Sequence, residues 1–313
     1  MVQDPEIEQT LTTGSVKVSP LASLVFSDFR LLFIGGFFSG TANQMRQVFN
    51  LYLVYDLSGS ALLVGFTGLF QVLPSLTLGL FAGALADVYD RRKILMVVNS
   101  ISMTPPLGLG ILLLTNNLEV WHIFAFTSLT SLINLMQGPA RNSLIPKLVP
   151  RTHLMNAVTL NGSLQQATFF IGPFVGGFLI ASLGVGTTYI INATLLLPAI
   201  LVLFFVRTSG KPDGGRRRVS LSLILDGMRF VLSIRILFGL YLTDFGLSCI
   251  GFFRPLFIIL ASDVYHVGPA GLGILNASPA VGAGLGFVTM LSMGEVQRKG
   301  ALFLVAMIFF TLA

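Results

Sequence analysis

The sequence predicts an all-α membrane protein of two parallel six-helix repeats, truncated within a ninth transmembrane helix, and three observations carry that prediction. First, 54% of the 313 residues are hydrophobic and only 10% are charged, whereas roughly a quarter of residues are charged in a soluble domain. Second, apolar runs of about the 20 residues needed to cross a bilayer core recur near 29–54, 61–86, 94–115, 120–138, 157–182, 187–206, 236–261 and 270–293. Third, a shift of 208 positions lays Arg46 on Arg254, Phe49 on Phe257, Gly65 on Gly273, Asp87 on Glu295 and Arg91 on Lys299. One register thus aligns an intramembrane arginine, a glycine and a charged turn, which marks span seven as a restart of span one.

The run that opens at Gly300 reaches about 21 Å at 1.5 Å per residue, too short to cross. The chain is therefore expected to stop inside that helix. Threading the spans alternately sends all but two of the 19 Lys and Arg residues to one face. The loops of the other face, 56–60, 116–119, 184–186 and 263–269, carry none. By the positive-inside rule the cation-rich face is cytoplasmic, which places the N-terminus there and the chain as a multi-pass protein of the cell (inner or plasma) membrane. The two cations left over, Arg46 and Arg254, lie inside spans one and seven.

Four segments follow. Residues 1–19 are polar, lack the basic-then-apolar layout of a cleaved signal and read as a disordered tail. Residues 20–206 form the first six-helix bundle. Residues 207–235 form a cytoplasmic linker, with a flexible basic stretch at 207–218 and then Leu221, Leu225, Met228 and Leu232 at the spacing of a helix lying on the membrane surface. Residues 236–313 are an incomplete second bundle. Cys249 is alone, so no intramolecular disulfide can form, and His122, His153 and His266 are too scattered for a metal site. No nucleotide loop or catalytic triad is present, so no enzyme activity is expected.

Two motifs punctuate this pattern. Between spans two and three, Gly83 permits a close helix approach, Asp87 precedes the turn, and Arg91, Arg92 and Lys93 open the next span. In span five, Gly172, Pro173, Gly176 and Gly177 combine close helix packing with a bend. The first motif resembles the signature between helices two and three of the major facilitator superfamily. The exit of span one (52–60), the stretch 139–157 and Gly172-Pro173 resemble the branch of that family containing the enterobactin exporter and macrolide efflux proteins.

That resemblance implies a twelve-helix exporter whose two halves rock around a central cavity. It also implies proton entry as the driving force, with no cofactor, and a conformational hinge at Gly83, Asp87, Arg91 and Arg92. The expected partners are a small-molecule substrate and the lipid bilayer, not nucleic acid, and the expected working unit is a monomer. A drug or siderophore type of cargo is implied, with a non-transporting ligand sensor or an importer of a small metabolite as alternatives. The sequence departs from the family pattern at two points. Thr168 stands where the longer form of the span-five motif has a further glycine, and Asn134 stands where proton-coupled exporters have an arginine three residues before Gln137-Gly138.

The residues themselves suggest a transport path. On span one, Ser39, Asn43, Arg46, Gln47 and Asn50 form a polar stripe at helical spacing, and such a stripe in lipid must face protein or water. Span five adds Asn161, Gln165 and Thr168, and span seven adds Asp244 and Arg254, about 280° apart around the helix. Asp244 is the expected proton carrier, because a carboxylate in a low-dielectric site holds its proton more tightly.

Overall fold

A computed structural model describes residues 19, 21–210, 233, 234, 238, 239, 242, 243, 246 and 255–292, with the backbone alone at 76, 79–88, 280, 283, 284 and 287–292. Every regular element among them is helical. Span one is α1 (Ser27–Ser58) and span two is α2 (Ala61–Val88). Span three is divided into α3 (Arg91–Ile101) and α4 (Thr104–Leu114), and span four is α5 (Val120–Leu148). Span five is α6 (Leu154–Leu183), and span six is divided into α7 (Val185–Thr194) and α8 (Leu196–Phe205). Beyond 255 come α9 (Leu256–Ile259), a π turn (Leu260–Val264) and α10 (Gly268–Ser292).

Three of these stretches are long and apolar enough to cross a membrane by length and composition, Arg91–Leu114, Arg151–Leu183 and Val185–Phe205. The helices α1 and α5 have the length, at 32 and 29 residues, but polar side chains along one side lower their hydropathy. Local chemistry explains the boundaries. Gly59 adopts the left-handed conformation (φ 60°) and its N–H closes α1 on the Tyr55 carbonyl at 2.7 Å, a geometry glycine adopts without a Cβ penalty.

The break in span three follows from Pro105 and Pro106. Neither can donate a backbone hydrogen bond, which frees the carbonyls four residues earlier, at Ile101 and Ser102. Thr104 Oγ1 donates to the first at 2.8 Å. The second is left for a partner from another helix.

Span four differs from the sequence expectation of 120–138, since its helix continues to Leu148 through Pro139 and Pro146. Arg141, expected in a loop, therefore lies within α5 and points between α1 and α6. Its Nε donates to Asn161 Oδ1 at 2.8 Å, and a Cβ at Gly36 would run into its guanidinium.

The central element is α1, which packs against α2, α5, α6, α7 and α8, while α2 pairs with α5, α3 with α5, α4 with α7, and α6 with α10. The apolar core is split in two. Phe29, Leu32, Leu95, Leu144, Ala157 and Leu203 fill the end that carries the basic loops. Met45, Phe49, Leu53, Ile123, Tyr189 and Leu272 fill the other. Polar side chains occupy the level between them.

The linker begins in a more ordered way than its composition suggested. Thr208 donates to Asp28 Oδ2 through its N–H (2.8 Å) and its hydroxyl (2.5 Å), and the Arg207 N–H donates to the same oxygen at 3.2 Å. Gly210 accepts from the Arg91 N–H at 3.1 Å. Residues 207–210 thus tie span six to the starts of spans one and three, while 211–232, including the expected surface helix, lie outside the described residues.

Partial burial works against the charge of Asp28, but the hydrogen bonds from Thr208 and Arg207 outweigh it and hold the carboxyl below its ordinary value of 3.8. A depressed carboxylate stabilises the fold above its unfolded-state value and loses that contribution as pH falls through the folded one. Thermal melting should therefore rank the native chain above Asp28→Asn at neutral pH, with the two curves converging below about pH 4. A constant gap across that range would refute the assignment.

Candidate functional site

The polar stripe of α1 enters a cavity of about 520 Å³. Asn43, Arg46, Gln47 and Asn50 all line it, together with Gln71 and Ser75 from α2 and Thr127, Ser131 and Asn134 from α5. Pro173 of α6, Pro255 and Asn276 of α10 complete the described wall. Ser39 is buried away from it, with its hydroxyl toward the Gly36 carbonyl of its own helix at 3.5 Å.

Arg46 is 3% exposed, and its environment explains how a cation is held in an apolar span. Nη1 donates to the Ser102 carbonyl at 2.8 Å, the acceptor that Pro106 leaves free, and Nη2 donates to Asn43 Oδ1. The same Asn43 oxygen accepts from Asn134 Nδ2 at 3.2 Å, and Asn43 Nδ2 donates to Gln137 Oε1 at 3.2 Å. Gln137 Nε2 in turn donates to Asn99 Oδ1 at 3.2 Å. Spans one, three and four are therefore joined by a chain of amides around one guanidinium.

A second chain lies one turn further along α1. Asn50 Nδ2 donates to Thr127 Oγ1 at 2.9 Å, and the Tyr189 hydroxyl donates to Asn50 Oδ1 at 2.7 Å. Snorkelling of Arg46 to the membrane surface is ruled out by this geometry, since its head is fixed between helices.

Several lining residues lay outside the sequence-based expectation. Thr67, Gln71 and Ser75 recur every four residues on α2, and Thr127, Ser131 and Asn134 recur at steps of four and three on α5. The helical period that revealed the stripe on span one would have revealed both. Asn99 and Tyr189 carry no such periodic signal. Of the span-five candidates, Asn161 is taken by Arg141 and Thr168 packs against Gly40. Gln165 is exposed on α6 and does not line this cavity. Asp244 and Arg254 lie outside the described residues.

At the end away from the basic loops α1 is tied to the π turn Leu260–Val264. Tyr55 Oη donates to Asp263 Oδ2 at 2.5 Å, and this hydrogen bond raises the tyrosine's pKa above its ordinary value. The two residues are 208 positions apart, the same interval as the sequence shift that lays Arg46 on Arg254. Among the described residues no group of His, Cys, Asp and Glu could hold a metal ion.

Residues 18–313 match the family model described as transmembrane secretion effector, of the major facilitator superfamily. The chain belongs to that family. It is 23% identical over 277 residues to the staphyloferrin A transporter of Staphylococcus aureus, covering 87% of this chain and 66% of the relative. It is 25% identical over 279 residues to macrolide efflux protein A of Streptococcus pyogenes (87% and 68%) and 27% identical over 263 residues to the enterobactin exporter EntS of Citrobacter koseri (81% and 58%). The chain thus spans roughly two thirds or less of these relatives. Among solved structures it resembles a bacterial homologue of the human lysosomal transporter Spinster, at TM-score 0.61, 17% identity, 90% of this chain and 64% of that one.

Family and fold indicate a transporter rather than an enzyme, and the family motifs acquire physical content in this chain. The segment that resembles the major facilitator signature turns at Tyr89 and Asp90, where Asp90 caps α3 by accepting from the Arg92 N–H at 3.0 Å. Arg92 reaches across to the last turn of span six, donating from Nε to the Leu203 carbonyl at 2.8 Å and from Nη2 to that of Phe204 at 2.9 Å. Cations belong at such a helix end, where unpaired carbonyls collect negative charge. Gly83 and Asp87 fall within α2, with their side chains outside the described set.

The span-five glycines serve two neighbours. A Cβ at Gly172 would meet the Gln44 side chain and, at 3.0 Å, the Thr41 carbonyl of α1, and one at Gly176 would lie 2.9 Å from Phe49. Gly177 faces the other way, toward α10, where a Cβ would be 2.6 Å from the Pro269 carbonyl and 2.7 Å from Gly273 Cα. Pro173 lies in the cavity wall between them. At the family's span-four arginine position, Asn134 bonds the same Asn43 oxygen that holds Arg46.

Proposed function

We propose that this chain is a secondary transporter of the cell membrane that works by alternating access and exports an amphiphilic small molecule, of drug or siderophore type, in exchange for protons. The observation that carries this reading is the cavity itself. Its volume, about 520 Å³, falls in the range of small-molecule sites, roughly 300–1,000 Å³. Polar groups from α1, α2 and α5 converge there at the middle of apolar helices, and intramembrane polar groups of this kind mark solute pathways.

On this reading, 20–206 and 236–313 are the first bundle and part of the second, joined by 207–235, and the protein acts as a monomer with its N-terminus in the cytoplasm. The pairing of Tyr55 with Asp263 across the repeat interval supports two equivalent halves meeting on the outer side. Export is favoured by the efflux names of the relatives. Asp244 stays the candidate proton carrier, and Gly83, Asp87, Arg91 and Arg92 the hinge.

The test is transport by the protein in proteoliposomes, with a siderophore and a macrolide tried separately as cargo. Accumulation of at least one of them, driven by a pH gradient and abolished by a protonophore, is expected. Saturable binding without movement would overturn the reading in favour of a ligand sensor.

A further inference from the structure

We infer that the cavity takes an organic anion that also carries hydrogen-bond donors, with Arg46 as the group that selects its charge. The inference rests on the cavity being the cargo site. Among the described residues that line it, Arg46 is the one formal charge, and the rest are amides, hydroxyls and apolar side chains. Both acceptors that hold its guanidinium, the Ser102 carbonyl and Asn43 Oδ1, are neutral. Its Nε–H has no partner among the described residues. A cation held this way is solvated by dipoles but not neutralised, so the described wall contributes one uncancelled positive charge, whose field low-dielectric surroundings strengthen.

A cationic ligand would bring a second like charge into the same enclosed volume. A carboxylate or phenolate would cancel the first and add charge-assisted hydrogen bonds.

The second observation concerns donors. Gln44, 9% exposed, lines the same cavity, and its Oε1 is buried without a partner. Gln44 stands on α1 where that helix approaches Gly172 of α6 closely, with its Cβ packed against the glycine. Such an orphan acceptor is relieved by a ligand that donates, through a hydroxyl or amide. Charge and hydrogen-bonding thus point to one class: an acid decorated with hydroxyl or amide groups.

A matched pair of fluorescent probes tests this with the full chain in detergent micelles, in mildly acidic buffer where the 7-hydroxyl of both stays protonated: 7-hydroxycoumarin-3-carboxylate and the corresponding carboxamide. The acid is expected to bind at least tenfold more tightly than the amide. Arg46→Gln should weaken the acid at least tenfold and the amide less than twofold. Arg46→Lys, which keeps the charge and guards against a folding defect, should restore most of the acid's affinity.

Equal affinity of the two probes, an acid insensitive to Arg46→Gln, or no binding of the acid at millimolar concentration would overturn the inference. Thr130→Trp, which fills the cavity from α5, separates this failure from that of the underlying reading. If both probes bind equally and both are lost on filling, the cavity still holds cargo and only the charge preference is wrong. If filling leaves both unchanged, the cavity is not the site.

Discussion

Gly177→Val is expected to abolish recovery of folded, monodisperse protein. The crossing of α6 on α10 is made by backbone on both sides: Gly177 faces the Pro269 carbonyl and Gly273 Cα, and a Cβ added at Gly273 would lie 2.8 Å from the Pro173 carbonyl. A side chain at either glycine meets atoms that cannot rotate aside, so the helices must separate. Overpacking that side chains can absorb costs about 1–3 kcal/mol, and a β-branched residue between two backbones should exceed it. Gly162 and Gly138 provide the comparison, because a Cβ at either has nothing within 4 Å. Valine there should be tolerated, with Gly in a helix interior already costing about 1 kcal/mol relative to Ala. Size-exclusion profiles of the three variants decide the matter, and equal profiles would remove the close approach as an explanation of the motif.

Arg92→Ala is expected to destabilise the fold by about 2 kcal/mol, whereas Arg91→Ala should cost little. The two adjacent arginines look alike in sequence, but the structure divides their work. Arg92 spends its side chain on the Leu203 and Phe204 carbonyls, while Arg91 donates its backbone N–H to Gly210, a bond that alanine keeps. Hydrogen bonds from charged groups contribute about 1.5–3 kcal/mol each when buried, and the solvent exposure of Phe204 reduces the second. Arg92→Lys, with one compact ammonium in place of the planar fork, should recover about half. Thermal melts in detergent would show the order native, Arg92→Lys, Arg92→Ala, with Arg91→Ala close to native. An Arg91→Ala variant as unstable as Arg92→Ala would contradict this division.

Much of the helix order could be read from the sequence because lipid leaves the chain few choices. Apolar runs of membrane length must be helical, so spans one to six emerged with small errors of boundary. The largest difference is at span four, where the apolar run ends at Gly138 while the helix continues through Pro139 and Pro146 to Leu148. In a membrane bundle, neighbouring helices satisfy the carbonyls a proline frees, so the helix continues.

The same effect hid the partner of Arg46. Pro105 and Pro106 were visible in the sequence, but nothing local tells that the carbonyl freed at Ser102 faces span one. The polar stripes on α2 and α5 are as regular as the one on α1 and were overlooked because four of their six members, Thr67, Ser75, Thr127 and Ser131, are hydroxyls, which helices also use for local bonds. Helical spacing places Gln165 beside Asn161 and Thr168, yet those two are used in packing, and Gln165 is exposed outside the cavity wall.

The most direct measurement of the central claim is the accessibility of position 47, with Gln47→Cys introduced into a Cys249→Ser background and labelled by a membrane-impermeant maleimide applied from either side of sealed vesicles. Alternating access around this cavity predicts labelling from both faces, with Asp263→Asn, which weakens the Tyr55 contact, raising the rate from the outer face and lowering it from the cytoplasmic face. Labelling from one face alone, unchanged by Asp263→Asn, would contradict the account.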